Sequence, residues 1–249
     1  MSRTAVVTGG AGGIGGAIVT GLTEAGHDVA ILDRSGEFAV DLADPDAVRE
    51  VAERLGARDV LVHAAAAFDR AALEDLDLAT WRRVQSVNVE SALWLCQALT
   101  PAMRERGFGR IVFITSNTVW RPPAADFLAY VASKATLVGI ARALAKPLGA
   151  SGITVNCVAP GITRTPFTES NLRPEAFDEV LTRQALPRSL MPDDVPAWSP
   201  FSRPTLPRRS AARRCAPTAG RCLPEWRPLS SSGAAGRVCH PCIARQSRA

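Results

Sequence analysis

Residues 4–33 constrain this chain more than any other stretch. Thr4–Thr8 is a short run of β-branched and apolar residues, and it leads directly into Thr8-Gly9-Gly10-Ala11-Gly12-Gly13-Ile14-Gly15. A helical pattern then continues to about Ala25, and Asp28–Asp33 reads Asp-Val-Ala-Ile-Leu-Asp. Strand, glycine loop, helix and strand within about thirty residues mark a parallel, doubly wound α/β sheet of the Rossmann type. The remaining pattern repeats that alternation. A helix is expected near 45–55, a third strand over 59–63, and a long helical stretch over 79–106 that Pro101 bends or breaks. A fourth strand is expected over 110–115, a helix over 126–148, a fifth strand over 152–158 and a short helix over 174–184.

The glycine loop has a chemical reading. Where a strand runs into a helix, unpaired backbone N–H groups and the positive end of the helix dipole face outward. Glycines at 9, 13 and 15 let the backbone approach a pyrophosphate without side-chain obstruction. Asp33 ends the second strand, 24 residues after Gly9. A carboxylate there accepts hydrogen bonds from ribose hydroxyls and repels a 2′-phosphate, which favours NAD over NADP. Arg34 beside it works against that preference.

A second motif lies far along the chain. The only tyrosine, Tyr130, and one of two lysines, Lys134, stand four residues apart. On a helix that spacing places both side chains on one face, one turn apart. A phenol loses its proton near pH ~10, and a neighbouring cation favours the phenolate. The pair suits general acid–base work on an alcohol or ketone.

Together these residues resemble the short-chain dehydrogenase/reductase family. Thr8-Gly9-x-x-x-Gly13-x-Gly15 matches its cofactor motif, and Tyr130-x-x-x-Lys134 its catalytic motif. Ser116, 14 residues before Tyr130, and Asn88 in Val-Asn-Val-Glu-Ser match the family's catalytic serine and asparagine. Asp41-Leu42 matches the pair near the adenine, and Asn156 through Gly161 the segment beside the nicotinamide. The resemblance covers roughly 4–195. It implies an NAD(P)-dependent oxidoreductase interconverting a secondary alcohol and a ketone, with Asn88, Ser116, Tyr130 and Lys134 catalytic. Lys134 would also hydrogen-bond the nicotinamide ribose, and Asn88 would hold a water linking Lys134 to solvent. The cofactor would be held by Gly9, Gly13, Ile14, Gly15, Asp33, Asp41, Leu42, Ala64, Ala65, Tyr130, Lys134, Pro160, Gly161, Thr163 and Thr165. No metal is implied.

The chain departs from the family at His63-Ala64-Ala65-Ala66, where Asn-Asn-Ala-Gly is usual. The lost asparagine hydrogen bonds put local rigidity in doubt, and His63 reads as a strand-end residue. Arg121-Pro122-Pro123 lengthens the path from Ser116 to Tyr130 and would alter the substrate pocket. Trp120, Phe127, Phe167 and Leu172 are candidates to line that pocket or to join the core.

Charge divides the chain in two. Residues 196–249 hold ten arginines, no lysine and one acid, Glu225, for +9, whereas residues 1–195 carry −4. The final stretch also holds four of six cysteines and eight of 18 prolines. The expected organisation is a dinucleotide-binding domain over 1–195 and a non-native, disordered Arg/Pro-rich tail over 196–249, with the family's last helix and strand missing. A frameshift accounts for it. One set of synonymous codons for Pro196–Gly220, read from the third base of the first codon, spells Gly-Val-Val-Ala-Phe-Leu-Ala-Ser-Asp-Ala-Ala-Ala-Ala-Ile-Ser-Gly-Ala-Thr-Leu-Cys-Ala-Asp-Gly-Gly. That string resembles the family's missing ending. Cys239-His240-Pro241-Cys242 with Cys215 and Cys222 could suggest zinc, but the Cys215–Cys222 gap is not a usual ligand pair, and no metal is expected. The arginines suit non-specific contact with nucleic acid rather than a specific complex. The expected partner is a small alcohol or ketone, and the family's homo-oligomer is put in doubt by this ending. No apolar run reaches a membrane span and no signal peptide is evident, so a cytoplasmic location is expected.

Overall fold

The computed structural model describes residues 2–195. The readings made for 196–249, including the missing last helix and strand, lie outside the described residues. The elements in chain order are β1 (Thr4–Thr8), α1 (Gly13–Glu24), β2 (Asp28–Asp33), β3 (Phe38–Ala39), α2 (Pro45–Leu55), β4 (Val60–His63) and α3 (Leu78–Gln85). They continue with α4 (Ser91–Glu105), β5 (Gly109–Ile114), α5 (Leu128–Gly149), β6 (Ile153–Val158), α6 (Pro166–Asn171) and α7 (Glu175–Leu181).

The six strands form one parallel sheet in the order β3-β2-β1-β4-β5-β6. A parallel sheet is covered on both faces, so its strands are apolar without alternation. Val6, Leu61, Ile111 and Phe113 face the core built with α2, α4 and α5. Ala5, Val7, Val60, Val62, Val112 and Ile114 face the other, built with Ile18 and Leu22 of α1 and with Val195. Helix α2 shows how the sequence sets such an element. Asp44 caps it by accepting from the amides of Asp46 at 2.9 Å and Ala47 at 3.1 Å, and Pro45 opens it. Val48, Val51, Ala52 and Leu55 then form one buried stripe.

Three expectations are corrected. The long helical stretch is interrupted by a π-helical turn at Ser86–Glu90, whereas Pro101 sits inside a continuous α4. A two-residue strand, β3, extends the sheet beyond β2. The helical segment Ala125–Gly149 is long and apolar enough to cross a membrane by length and composition. In this fold it packs on β6, and Leu137, Ala141 and Leu148 enter the core.

The chain winds outward from β1 to β3, then crosses to β4 and winds the other way. The two halves diverge at the carboxyl ends of β1 and β4, where an open parallel sheet forms its ligand crevice.

Candidate active site

A cleft of about 1740 Å³ opens at those carboxyl ends. Its floor begins with the glycine loop. Gly9 has φ +68°, and a Cβ there would meet the Ala65 backbone at 2.8 Å. A Cβ on Gly15 would lie 2.0 Å from the Gly9 carbonyl oxygen, and one on Gly13 2.5 Å from Thr165 Cγ2. These positions therefore require glycine on steric grounds. Helix α1 has no side-chain cap and no acid in its first turn, so its first N–H groups remain available where Gly12, Gly13, Ile14 and Gly15 line the cleft. The cradle fits a dinucleotide pyrophosphate.

All the residues expected to hold the cofactor line this one cleft. Asp33 accepts from the Ala11 amide at 3.0 Å and from the Arg34 amide at 2.7 Å, tying the end of β2 to the loop. Asp41 accepts from the Ala43 amide at 2.9 Å. Ala64 and Ala65 follow β4, and Pro160, Gly161, Thr163 and Thr165 follow β6. Thr165 caps α6 through the Thr168 amide at 3.1 Å while its methyl packs on Gly13.

Beneath the loop lies a buried polar chain. Thr8 Oγ1 accepts from the amides of Ala64 and Ala65, both at 3.1 Å. Its own proton then goes to His63 Nδ1 at 3.0 Å. That assigns the other ring proton to Nε2, which donates to the Asn88 carbonyl at 3.1 Å. Burial pushes His63 down to about 3, helped by the Lys134 charge and opposed by the Asn88 carbonyl, so the ring is neutral. His63 thus supplies a cross-sheet hydrogen-bonded link where the family's asparagine bonds are absent.

Asn88 sits fully buried in the π-helical turn. Its Oδ1 accepts from the Ala67 amide at 2.6 Å, and its Nδ2 donates to the Ala67 carbonyl at 3.0 Å and to Ser133 Oγ at 2.9 Å. Ser133 Oγ donates to the Tyr130 carbonyl at 2.7 Å. Asn88 does not line the cleft; it holds the segments that do. Ser133 was missed in the sequence reading, although it lies between the two motif residues.

Ser116, Tyr130 and Lys134 do line the cleft. Ser116 ends the run after β5 and accepts from Thr118 N at 3.2 Å and Thr118 Oγ1 at 2.9 Å. Lys134 is 2 % exposed, donates to the Ile114 carbonyl at 2.8 Å, and has Nζ 5.7 Å from the Tyr130 ring centroid. Burial lowers Lys134 to about 8. Burial also raises the Tyr130 phenol, with Ser116 opposing it. The expected lowering of Tyr130 is therefore reversed: desolvation of the phenolate outweighs the Ser116 hydrogen bond that opposes it.

Phe68, also missed, centres an aromatic cluster beside Tyr130. Its ring meets Tyr130, Phe127 and Phe167 edge-on, with centroids 4.7, 5.2 and 5.6 Å away. Phe127, Phe167 and Leu172 line the cleft; Trp120 is 38 % exposed and is not part of its lining.

A family model described as short chain dehydrogenase matches residues 37–176. D-xylose 1-dehydrogenase of Caulobacter vibrioides is 32% identical over 213 residues, covering 78% of this chain and 86% of that protein. D-beta-hydroxybutyrate dehydrogenase of Rhizobium meliloti is 30% identical over 216 residues, covering 77% and 83%. Among solved structures, a blue fluorescent protein from a metagenomic library, in complex with NADPH, superposes with a TM-score of 0.71 at 32% identity, covering 78% of this chain and 87% of that one. The chain belongs to the short-chain dehydrogenase/reductase family. It is an oxidoreductase acting on CH–OH groups, built on that family's nucleotide-binding fold.

Proposed function

We propose that this chain interconverts a secondary alcohol and a ketone, using NAD in preference to NADP. The observation that carries the reading is that Ser116, Tyr130 and Lys134 line the same cleft as the glycine cradle, with Lys134 Nζ 5.7 Å from the Tyr130 ring centroid. The nicotinamide cofactor, when bound, supplies the hydride acceptor or donor. Tyr130 gives its phenolic proton to a carbonyl oxygen, or takes one from an alcohol. Ser116 hydrogen-bonds that oxygen as charge develops on it. Lys134 supports the phenolate once Tyr130 has released its proton, and Asn88 acts through Ser133 and Ala67. Because burial raises Tyr130, the resting pair is set to donate, and alcohol oxidation should accelerate as pH rises. The preference for NAD rests on the Asp33 carboxylate at the adenine end. The test is NADH formation across a panel of secondary alcohols, with Tyr130→Phe as control; full activity in that variant would overturn the assignment.

The composition of residues 196–249 favours a second reading, a cofactor-binding remnant without turnover. On that reading the coding sequence shifts frame near Pro196, and the family's last helix and strand are not encoded in the present frame. NAD binding with no product from any alcohol supports it. Resequencing the codons from Leu190 to Cys222 tests the frame directly: an extra or missing base that restores the expected ending supports the shift, and an unaltered reading rejects it.

A further inference from the structure

At the catalytic end of the cleft, charges are unevenly matched. Its wall is made by the segment after β4, the segment after β5, and the α6–α7 region. The acids that line this end, Asp69 and Glu179, are committed, as is Asp126 in the segment after β5. Asp126 pairs with Arg70 at 2.6 Å, Asp69 with Arg83, and Glu179 with Arg173. Two more arginines line the same cleft, Arg121 after β5 and Arg183 after α7. Both are exposed to solvent, and neither makes an ion pair or a side-chain hydrogen bond among the described residues.

We propose that the substrate carries an anionic group, a carboxylate or a phosphate, bound by Arg121 and Arg183. This rests on the oxidoreductase reading and names the substrate class for that site. Two arginines without ion-pair partners in one cleft raise its positive potential and attract anions. A guanidinium presents donors in a planar fork that matches carboxylate and phosphate oxygens. Neither arginine duplicates the cofactor's own anion site, because the pyrophosphate cradle is the amino end of α1 and the arginine at the adenine end is Arg34. Pro122 and Pro123 restrict the backbone next to Arg121, which limits the ordering cost of binding there. The aromatic cluster around Phe68 then leaves the apolar middle of the substrate against rings, with its alcohol carbon at Tyr130 and its anion toward the arginines.

The experiment uses the full chain with NAD and NADP each supplied at saturation. Two substrate pairs differ in charge: 3-hydroxybutyrate against its methyl ester, and glycerol 3-phosphate against glycerol. The expected result is a kcat/KM advantage of about tenfold or more for the anion of at least one pair. Arg121→Ala and Arg183→Ala should each raise KM for that anion about tenfold, with kcat changing little, and the double variant should erase the discrimination. The pair that responds tells carboxylate from phosphate. Equal or better use of the neutral members, or an unchanged KM in both variants, overturns the proposal while leaving the oxidoreductase reading intact. If no alcohol is turned over, that reading fails, and calorimetric titration of the NAD-loaded protein with the same four compounds decides the arginine site. Anion binding lost in the double variant supports the site; anion binding no tighter than that of the neutral members overturns it.

Discussion

Asp33 and Lys134 line one cleft but are held in different ways. Asp33 is half-buried at the end of β2, and its carboxylate is engaged by two backbone amides of exposed loops. Lys134 is 2 % exposed, and its charge rests against a single strand carbonyl. At the Asp33 end, water screens each charge, so its bonding is a matter of local hydrogen bonds. At the catalytic end, burial itself sets the protonation states, moving Tyr130 up, Lys134 down to about 8 and His63 down to about 3. One end of the cleft therefore offers exposed hydrogen-bonding groups, and the other holds groups away from their ordinary chemistry.

Four substitutions test that contrast, from the largest expected effect to the smallest. Tyr130→Phe removes the proton donor and should lower kcat about 10²–10⁴-fold while cofactor affinity, read by fluorescence titration, changes little. His63→Asn acts through acid stability. The folded ring titrates at about 3 and the unfolded one at 6.5, so the unfolded state binds more protons between those values. Stability is full above 6.5 and is lost as pH falls toward 3, by an amount on the order of 5 kcal/mol from this one group. Urea melts of the wild type at pH 7, 5 and 4 should show that loss, and His63→Asn should show less of it. Lys134→Met probes the opposite side of neutrality. Here the unfolded group keeps its proton up to 10.5 while the folded group loses it near 8, so stability should rise with pH through that window, by roughly 3 kcal/mol. The variant should lack the rise. Asp33→Asn, at the screened end, should do least: a shift of about tenfold in the NAD to NADP preference, with kcat for the better cofactor nearly unchanged. A large loss of kcat there would break the contrast.

Much of this was legible in the sequence, for identifiable reasons. The strand, loop and helix over residues 4–33 announce themselves because each uses local chemistry: β-branched residues, glycines, a helical period. Tyr130 and Lys134 could be paired because a helix places residues four apart on one face. What escaped was set by distant contacts. The π-helical turn at Ser86–Glu90 coincides with the hydrogen bonds of Asn88 to Ala67 and Ser133, 21 and 45 residues away. Pro101 attracted the expected bend or break because proline is a local signal, yet α4 is not broken there. Strand β3, with two residues, is too short to show a period of two. His63 looked like a lone strand-end histidine because its partners lie on β1 and in the π-helical turn. The inversion of the Tyr130 shift escaped for a similar reason: sequence spacing shows the neighbouring cation, but the depth of burial exists only in the fold.

The Thr8–His63–Asn88 chain also has a consequence for motion. It joins β1, β4 and the π-helical turn with every side-chain donor of Thr8, His63 and Asn88 engaged, and it takes up the amides of Ala64, Ala65 and Ala67 in the segment that follows β4. A segment outside regular secondary structure ordinarily exchanges its amide hydrogens through small local openings. Here, releasing any of those three amides breaks a bond to a side chain buried in the sheet or the π-helical turn. Their exchange should follow the opening of the central strands, and this stretch of cleft wall should behave, on the minutes-to-hours scale, as part of the sheet rather than as a loop.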